Sequence, residues 1–585
     1  AYLVRRLLEN TANESFLRQS FAGEADMARL LEDPAVTAER ARREAPAPKP
    51  APAGVAPFAN EAPADFTLPE VRAAFPQALA AVRAQLGQEL PLRIAGKEVR
   101  TGDVLESYNP ARTSEIVARV HQAGLPEVEA AIAAAKAAFP AWRDTPPERR
   151  AAVLFKAADL ARRRIYELSA WQVIEVGKQW DQAYNDVGEA IDFLEYYGRE
   201  MLRLGAPRRM GRAPGELSHY LYRPKGLTAV IAPWNFPLAI SCGMSAAALV
   251  AGNCVLFKPS GLSLRVGWGL AELFREAGLP EGVFTYLPGR GSVMGDALVG
   301  HQDIHAIAFT GSVETGLRII KTAAAPAPGQ DHVKKVVAEM GGKNAIIVDD
   351  DAELDEAVSG VLYSAFGFQG QKCSACSRVI VLDAVYDKFV PRLVAAADSL
   401  KLGPAEDPSC SMGPVADRAA RRKIMEYVDL AAGEGRVLLR KMPSQCEDDA
   451  CWAPLTIVEN ITPEHRIAQE EVFGPVLAVM RARDFDQALA WANSTKFALT
   501  GAVYSRSPRH LEQARRGFEC GNLYLNRNCV GALVERHPFG GYKLSGIGSK
   551  AGGPDYLLQF MDPVTVTENT MRRGFTPIAE DDDWV

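Results

Sequence analysis

The sequence has no apolar run long enough to cross a bilayer. The longest, Ser245 to Phe257, is broken by Asn253 and falls short of the ~20 residues that a membrane helix needs. No sign of charge dominates either: 66 Lys and Arg stand against 72 Asp and Glu, for a net charge of -6. Without a bulk basic face to neutralise phosphates, nucleic acid is not an expected partner. Cysteine is sparse, at nine in 585 residues, and its spacing gives neither a disulfide framework nor two paired Cys-x-x-Cys sets for zinc. Near the start, Arg5 to Glu14 supplies charge where a secretory signal would place its apolar stretch. These absences leave a reducing cytosol as the expected compartment and no metal as the expectation for the site. What is present, 48% hydrophobic and 24% charged residues, excludes a mostly disordered chain.

Length alone suggests about four domains, and the composition along the chain revises that. Residues 1–44 read as helices: Leu3, Leu7 and Leu8 share a face, and Thr11 with Glu14 makes a capping-box pattern. Residues 45–65 follow as a Pro- and Ala-rich linker, with six prolines between Ala45 and Pro63. Short strands and alanine-rich helices run on to Gly177. Between Leu227 and Lys343, apolar runs of strand length (LTAVIAP, CVLFKPS, VFTYLPG, HAIAFTGS, KKVVAEMGGK) alternate with helical stretches. Such alternation predicts a doubly wound parallel sheet covered on both faces. A second strand and helix series reaches about Phe518, with no internal repeat. The turn GRGSVMG places Gly289, Gly291 and Gly295 one residue out of register with the dinucleotide fingerprint, after the wrong strand, and is weak by itself.

Several residues are placed where chemistry is possible. Cys373 in FGFQGQKCSACSR follows a cationic lysine in a small polar setting that would favour its thiolate. A redox pair with Cys376 lacks its usual place in a small βαβ domain, and a metal half-site lacks a second ligand pair. A Cys-His hydrolase stays open, because a His distant in sequence can be close in space. Glu339 closes the strand KKVVAEM before two glycines; Asn235 is held between prolines in PWNFP, an amide able to face an oxyanion; Lys258 ends the strand CVLFK. Each also has a plain reading as a satisfied loop or surface residue.

Taken together, PWNFP, FKPS, FTGSVETG, EMGGK, GQKC and EEVFGP occur in this order and resemble the aldehyde dehydrogenase superfamily over residues 66–575. Within it, SAFGFQGQKCSACSR, LNRNCVGALVERHPFGGYKLSG and SKAGGPDYL look most like the glutamate semialdehyde (pyrroline-5-carboxylate) dehydrogenases. The resemblance implies an α/β fold with a Rossmann-like NAD-binding domain over 66–338, flap strands at about 208–222, a catalytic domain over 339–545, and a C-terminal oligomerisation flap and tail over 546–585. A homo-oligomer is implied. The opening YLVRRLLENTANESF resembles the last barrel helix of proline dehydrogenase, where Tyr2, Arg5 and Arg6 would match the proline-carboxylate ligands. The chain thus looks like the C-terminal half of bifunctional proline utilization A. FAD would belong only to the missing proline dehydrogenase domain, a possible partner, and no proline oxidation is expected of this polypeptide alone.

The resemblance implies NAD-dependent oxidation of glutamate semialdehyde to glutamate in proline catabolism. Cys373 would be the nucleophile, Asn235 and the Cys373 backbone N–H the oxyanion donors, and Glu339 the base for thioester hydrolysis. The cofactor would be held by Ile231, Pro233, Trp234, Lys258, Ser260, Gly291, Gly295, Phe309, Gly311, Ser312, Gly341, Glu471 and Phe473. Gly261 stands where many relatives have a ribose-binding Glu, so NADP use stays open. Glu189, Phe236, Ser374, Gly531, Ala532 and Phe539 would bind the substrate; Asp192 lies less than a helical turn from Glu189, and Val530 replaces a common Thr or Ser. The rival expectations are a broad-specificity aldehyde dehydrogenase and a catalytically silent scaffold copy of the fold.

Overall fold

The structure is a computed structural model that describes residues 55–444 and 450–571, together with Val36. The chain divides into two units, residues 1–57 and 58–585. Tyr2, Arg5 and Arg6, and the helices expected over 1–44, lie outside the described residues. Among those described, no helix is long and apolar enough to cross a membrane. The apolar run at Ser245 instead splits into the end of the buried helix Ala239–Val250 and the start of the strand Cys254–Lys258.

Two sheets organise the second unit. The first has six strands in the order Phe284–Tyr286, Cys254–Lys258, Leu227–Ile231, Ile304–Thr310, Lys335–Glu339 and Gly546–Ile547. The first five are parallel, and the sixth joins antiparallel, pairing Gly546 with Glu339. Their nearly uninterrupted Val, Ile, Ala and Phe composition follows from burial on both faces. Alanine-rich helices Leu125–Arg143 and Pro147–Arg163 press their small faces into the same core.

The second sheet has seven strands, in the order Arg436–Lys441, Leu455–Glu459, Val476–Ala482, Cys376–Leu382, Asn344–Val348, Thr500–Tyr504 and Asn522–Leu525. Only the first edge pairing is antiparallel. Its core is separate from that of the first sheet. A flap joins Glu216–Pro224 to Met561–Asn569 along nine antiparallel pairs, with Arg208–Arg209 on the other edge.

The junction positions the chemistry. Glu339 ends a strand of the first sheet, and after Met340–Lys343 the chain enters a central strand of the second at Asn344. The C-terminal edge of one sheet therefore faces the N-terminal edge of the other, where Cys373 precedes the strand Cys376–Leu382.

Candidate active site

In an open parallel sheet, ligands bind beyond the carboxyl ends of the strands where the strand order reverses. Here that point lies between Leu227–Ile231 and Ile304–Thr310. A cleft of about 420 Å³ occupies it, lined by Pro233, Trp234, Asn235, Lys258, Ser260, Gly261, Phe309, Gly311, Ser312, Gly341, Glu471, Phe473 and Cys373. The helix Val313–Ala324 opens onto it, its first turn capped by the Ser312 hydroxyl accepting from Thr315 N at 3.3 Å. Backbone N–H groups and the positive helix end there suit a pyrophosphate. Lys258 donates to the Pro259 carbonyl at 3.3 Å, and burial lowers its pKa.

On the opposite wall Glu471 Oε1 accepts from Gly342 N at 2.9 Å, and burial raises its pKa. A Cβ on Gly341 would run into that carboxylate, so a side chain there would push Glu471 aside. Phe473 adopts φ 61° and sets its ring edge-on to Trp234 at 5.6 Å. Three residues assigned to this cleft from the sequence do not line it: Ile231, Gly291 and Gly295. Gly291 and Gly295 bound a short π-helical turn ahead of Asp296–Gly300, and Ile231 pairs with Lys258 within the sheet. Thr315 and Met340, inside FTGSVETG and EMGGK though not singled out there, also line it, as does Lys423, which carried no local sequence signal.

Cys373 and Thr310 are also walls of a second, smaller pocket of about 110 Å³. Glu189, Phe236, Glu339, Ser374, Gly531, Ala532 and Phe539 line it together with Phe193, Ile240, Met244 and Tyr556. All six residues assigned to the substrate are thus brought together. Of Glu189 and Asp192, Glu189 lines the pocket, whereas buried Asp192 accepts from Asn60 and the Glu61 backbone at 2.9 and 2.7 Å. Val530 is buried in the second core and does not line the pocket. Gly531 adopts φ 71°, with its carbonyl held by Arg527 at 2.6 Å.

The loop carrying the nucleophile is strongly constrained. Phe368 and Gln369 sit in the left-handed region at φ 53° and 56°, and the buried Gln369 amide donates to the carbonyls of Gly177 and Pro414 at 3.0 and 2.6 Å. Asn344 donates to the carbonyls of Cys373 and Ala375 at 2.7 and 2.9 Å, and Thr500 to that of Ser374 at 3.2 Å. Asn235 is buried, with its amide donating to Gln371 O at 3.1 Å.

The lysine before the nucleophile does not act as the sequence suggests. Lys372 turns away to Gln182 Oε1 at 2.6 Å. Burial, together with the negative Glu471 and Glu339, pushes the Cys373 thiol up to about 12, against the smaller effect of its own and Ser374 backbone N–H groups. Burial also raises Glu339 to about 8, opposed by the Gly541 N–H and the charge of Lys550. One of its oxygens, Oε2, is buried without a hydrogen-bond partner among the described residues. A poised carboxylate beside a reluctant thiol has the chemistry of a general base and a nucleophile.

Away from this centre, Asp349, Asp350 and Asp351 bring carboxylates within 4.8 Å at the far edge of the second sheet, but Asp349 already accepts from Ser505 and His510. A cavity of about 720 Å³ between Phe66, Tyr363, Phe368 and Cys410 reaches neither Cys373 nor Glu339.

Comparison with known proteins agrees with the geometry. The profile of the aldehyde dehydrogenase family matches residues 98–566. The chain is 48% identical over 516 residues to 1-pyrroline-5-carboxylate dehydrogenase of Geobacillus thermodenitrificans, covering 88% of this chain and 99% of that protein. The solved structure of 1-pyrroline-5-carboxylate dehydrogenase from Thermus with bound NAD superposes with a TM-score of 0.86 at 46% identity, covering 88% of this chain and 100% of that one. Proline utilization A from Bdellovibrio bacteriovorus, inactivated by N-propargylglycine, gives a TM-score of 0.90 at 50% identity over 99% of this chain, which spans 59% of its length.

Proposed function

The chain belongs to the aldehyde dehydrogenase family, and on that premise we propose that Cys373, Asn235 and Glu339 carry out its reaction, with L-glutamate γ-semialdehyde as substrate. The enzyme is an NAD-dependent dehydrogenase that oxidises this aldehyde, the open form of 1-pyrroline-5-carboxylate, to L-glutamate. Similarity to part of proline utilization A accords with a place in proline use. The observation that carries the reading is the shared wall: Cys373 closes the cofactor cleft on one side and the substrate pocket on the other.

A cleft at the strand-order reversal, opened by a helix N-terminus and cleared of side-chain bulk at Gly341, fits a dinucleotide. Lys258 and Ser260 would hold its adenosine side, Gly311 and Ser312 the pyrophosphate, and Glu471 with Phe473 the nicotinamide side. When bound, NAD supplies the hydride acceptor. Glu339 accepts a proton, directly or through water, so that the high-pKa Cys373 thiol attacks as thiolate. Asn235 and the Cys373 N–H stabilise the oxyanion of the resulting thiohemiacetal. Once the thioester has formed and Glu339 has released the thiol proton to solvent, its carboxylate draws a proton from the attacking water, and Cys373 leaves as thiolate. In the second pocket Glu189 meets the α-ammonium, Ser374 and the N–H groups of Gly531 and Ala532 meet the α-carboxylate, and Phe236 and Phe539 flank the chain between.

NAD is the preferred cofactor in this reading, although nothing crowds a Cβ at Gly261, where a ribose-binding acid would stand. The exposed outer strand Met561–Asn569 supports an oligomerisation role for the flap. The test is NADH formation from 1-pyrroline-5-carboxylate, with succinate semialdehyde and propanal as comparators and NADP in parallel. A kcat/KM no higher for the first substrate than for propanal would refute the substrate assignment.

A further inference from the structure

The substrate pocket has two polar ends on separate parts of the chain: Glu189 in the middle of the helix Trp180–Leu204, and Gly531–Ala532 on a loop from the second sheet. A few residues outside the pocket tie them together. Asn60 Nδ2 donates to Asp192 Oδ2 at 2.9 Å, one turn along the helix from Glu189, and also to Val534 O at 3.0 Å, two residues beyond Ala532. The Glu61 backbone N–H occupies the other Asp192 oxygen at 2.7 Å. The segment is seated on the same helix by its neighbours. Phe58 packs edge-on against Tyr196 at 5.3 Å, and the Glu61 side chain lies over Gly188, where a Cβ would meet it at 3.7 Å. Glu61 also binds Arg162 at 2.9 Å, and Arg162 reaches Glu195 at 3.3 Å. Asn60 itself does not line the pocket.

We propose that Asn60 is a positioning residue for substrate binding, a bridge from Asp192 to Val534 that fixes the distance between the Glu189 helix and the Gly531–Ala532 loop. The inference rests on the assignment of those two elements to the α-ammonium and α-carboxylate. Its logic is geometric: a short amino acid with both charges on one carbon reads the spacing of the two elements, whereas an aldehyde without either charge does not. One amide serving acceptors on both elements holds that spacing more firmly than a contact on either alone, because each bond limits the freedom of the other.

The test measures kcat and KM of the full chain for 1-pyrroline-5-carboxylate and for propanal in Asn60→Ala, in the milder Asn60→Ser, and in Glu189→Gln. Asn60→Ala should raise KM for 1-pyrroline-5-carboxylate about tenfold, with kcat within about twofold, and leave propanal kcat/KM within about twofold. Asn60→Ser should lie between it and the parent, and it carries the comparison if the alanine variant does not fold. A parallel loss with both aldehydes would overturn the proposal in favour of a general structural role. An unchanged KM for Asn60→Ala beside a raised KM for Glu189→Gln would overturn the proposal and keep the site assignment. No effect of Glu189→Gln would remove the assignment, and the proposal with it.

Discussion

The cofactor cleft and the substrate pocket share Thr310 and Cys373, yet they are assembled differently. One wall of the cleft is made at strand ends: Lys258 closes its strand, and Pro233 to Asn235, Gly311 to Ser312 and Gly341 each follow theirs within a few residues, while Lys423, Glu471 and Phe473 face them from the second sheet's side. The pocket draws Glu189 from a helix, Phe236 from the loop after a strand, Ser374 from the nucleophile loop, and Gly531 to Tyr556 from a long irregular return. A nucleotide site thus comes with the sheet, while a substrate site is added by segments that meet only once the chain has folded.

Experiments can separate the two halves, beginning where they join. Replacing Cys373 with Ala should lower NADH formation by at least about 10³-fold, while calorimetry still detects NAD binding. Glu339→Gln should lower steady-state NADH formation by about 10²- to 10³-fold, because it removes both the acceptor of the Cys373 proton and the base for thioester hydrolysis. In the parent, turnover should fall as pH drops through about 8, where Glu339 gains its proton. The same group has a stability signature. Its folded pKa is raised from 4.5 to about 8, so the folded state binds the extra proton between those values, and stability should decline as pH rises across that window. Chemical denaturation of Glu339→Gln should show that slope reduced.

A smaller effect tests the cleft alone. In Gly341→Ala the new methyl displaces Glu471, and KM for NAD should rise about tenfold or more, with little change in KM for the aldehyde. If both constants rose together, the two halves would not be separable at this wall. The mildest change is Gly261→Glu, which enters open space; it should lower kcat/KM with NADP about tenfold by repelling the 2′-phosphate and leave the NAD value within about twofold.

The same contrast explains what could be read from the residues. The five parallel strands between Leu227 and Glu339 were legible because burial on both faces demands unbroken apolar runs, and the turns after them marked the cleft. Gly291 and Gly295, given to the cofactor by the resemblance, stand in a short π-helical turn that does not line the cleft. Lys372 misled because proximity in sequence says nothing of direction; its side chain runs to Gln182. Lys423 in the cleft, and Phe193 and Ile240 in the pocket, gave no sign because their places there arise from tertiary packing. The link from Asn60 to Asp192 spans 132 residues and was equally silent.

The strand Gly546–Ile547, which pairs with Ala338 and Glu339, bears on the timing of biosynthesis. Met340 N also bonds to Ser545 O at 2.8 Å, and the Gly541 N–H reaches the Glu339 carboxylate. A ribosome adding ~5–20 residues per second makes these partners roughly ten to forty seconds after Glu339 itself. Until then the growing chain carries both nucleophile and base, with the base on a bare sheet edge. The strand that ends at Glu339 therefore waits for its outer neighbour until nearly all of the described chain has been made.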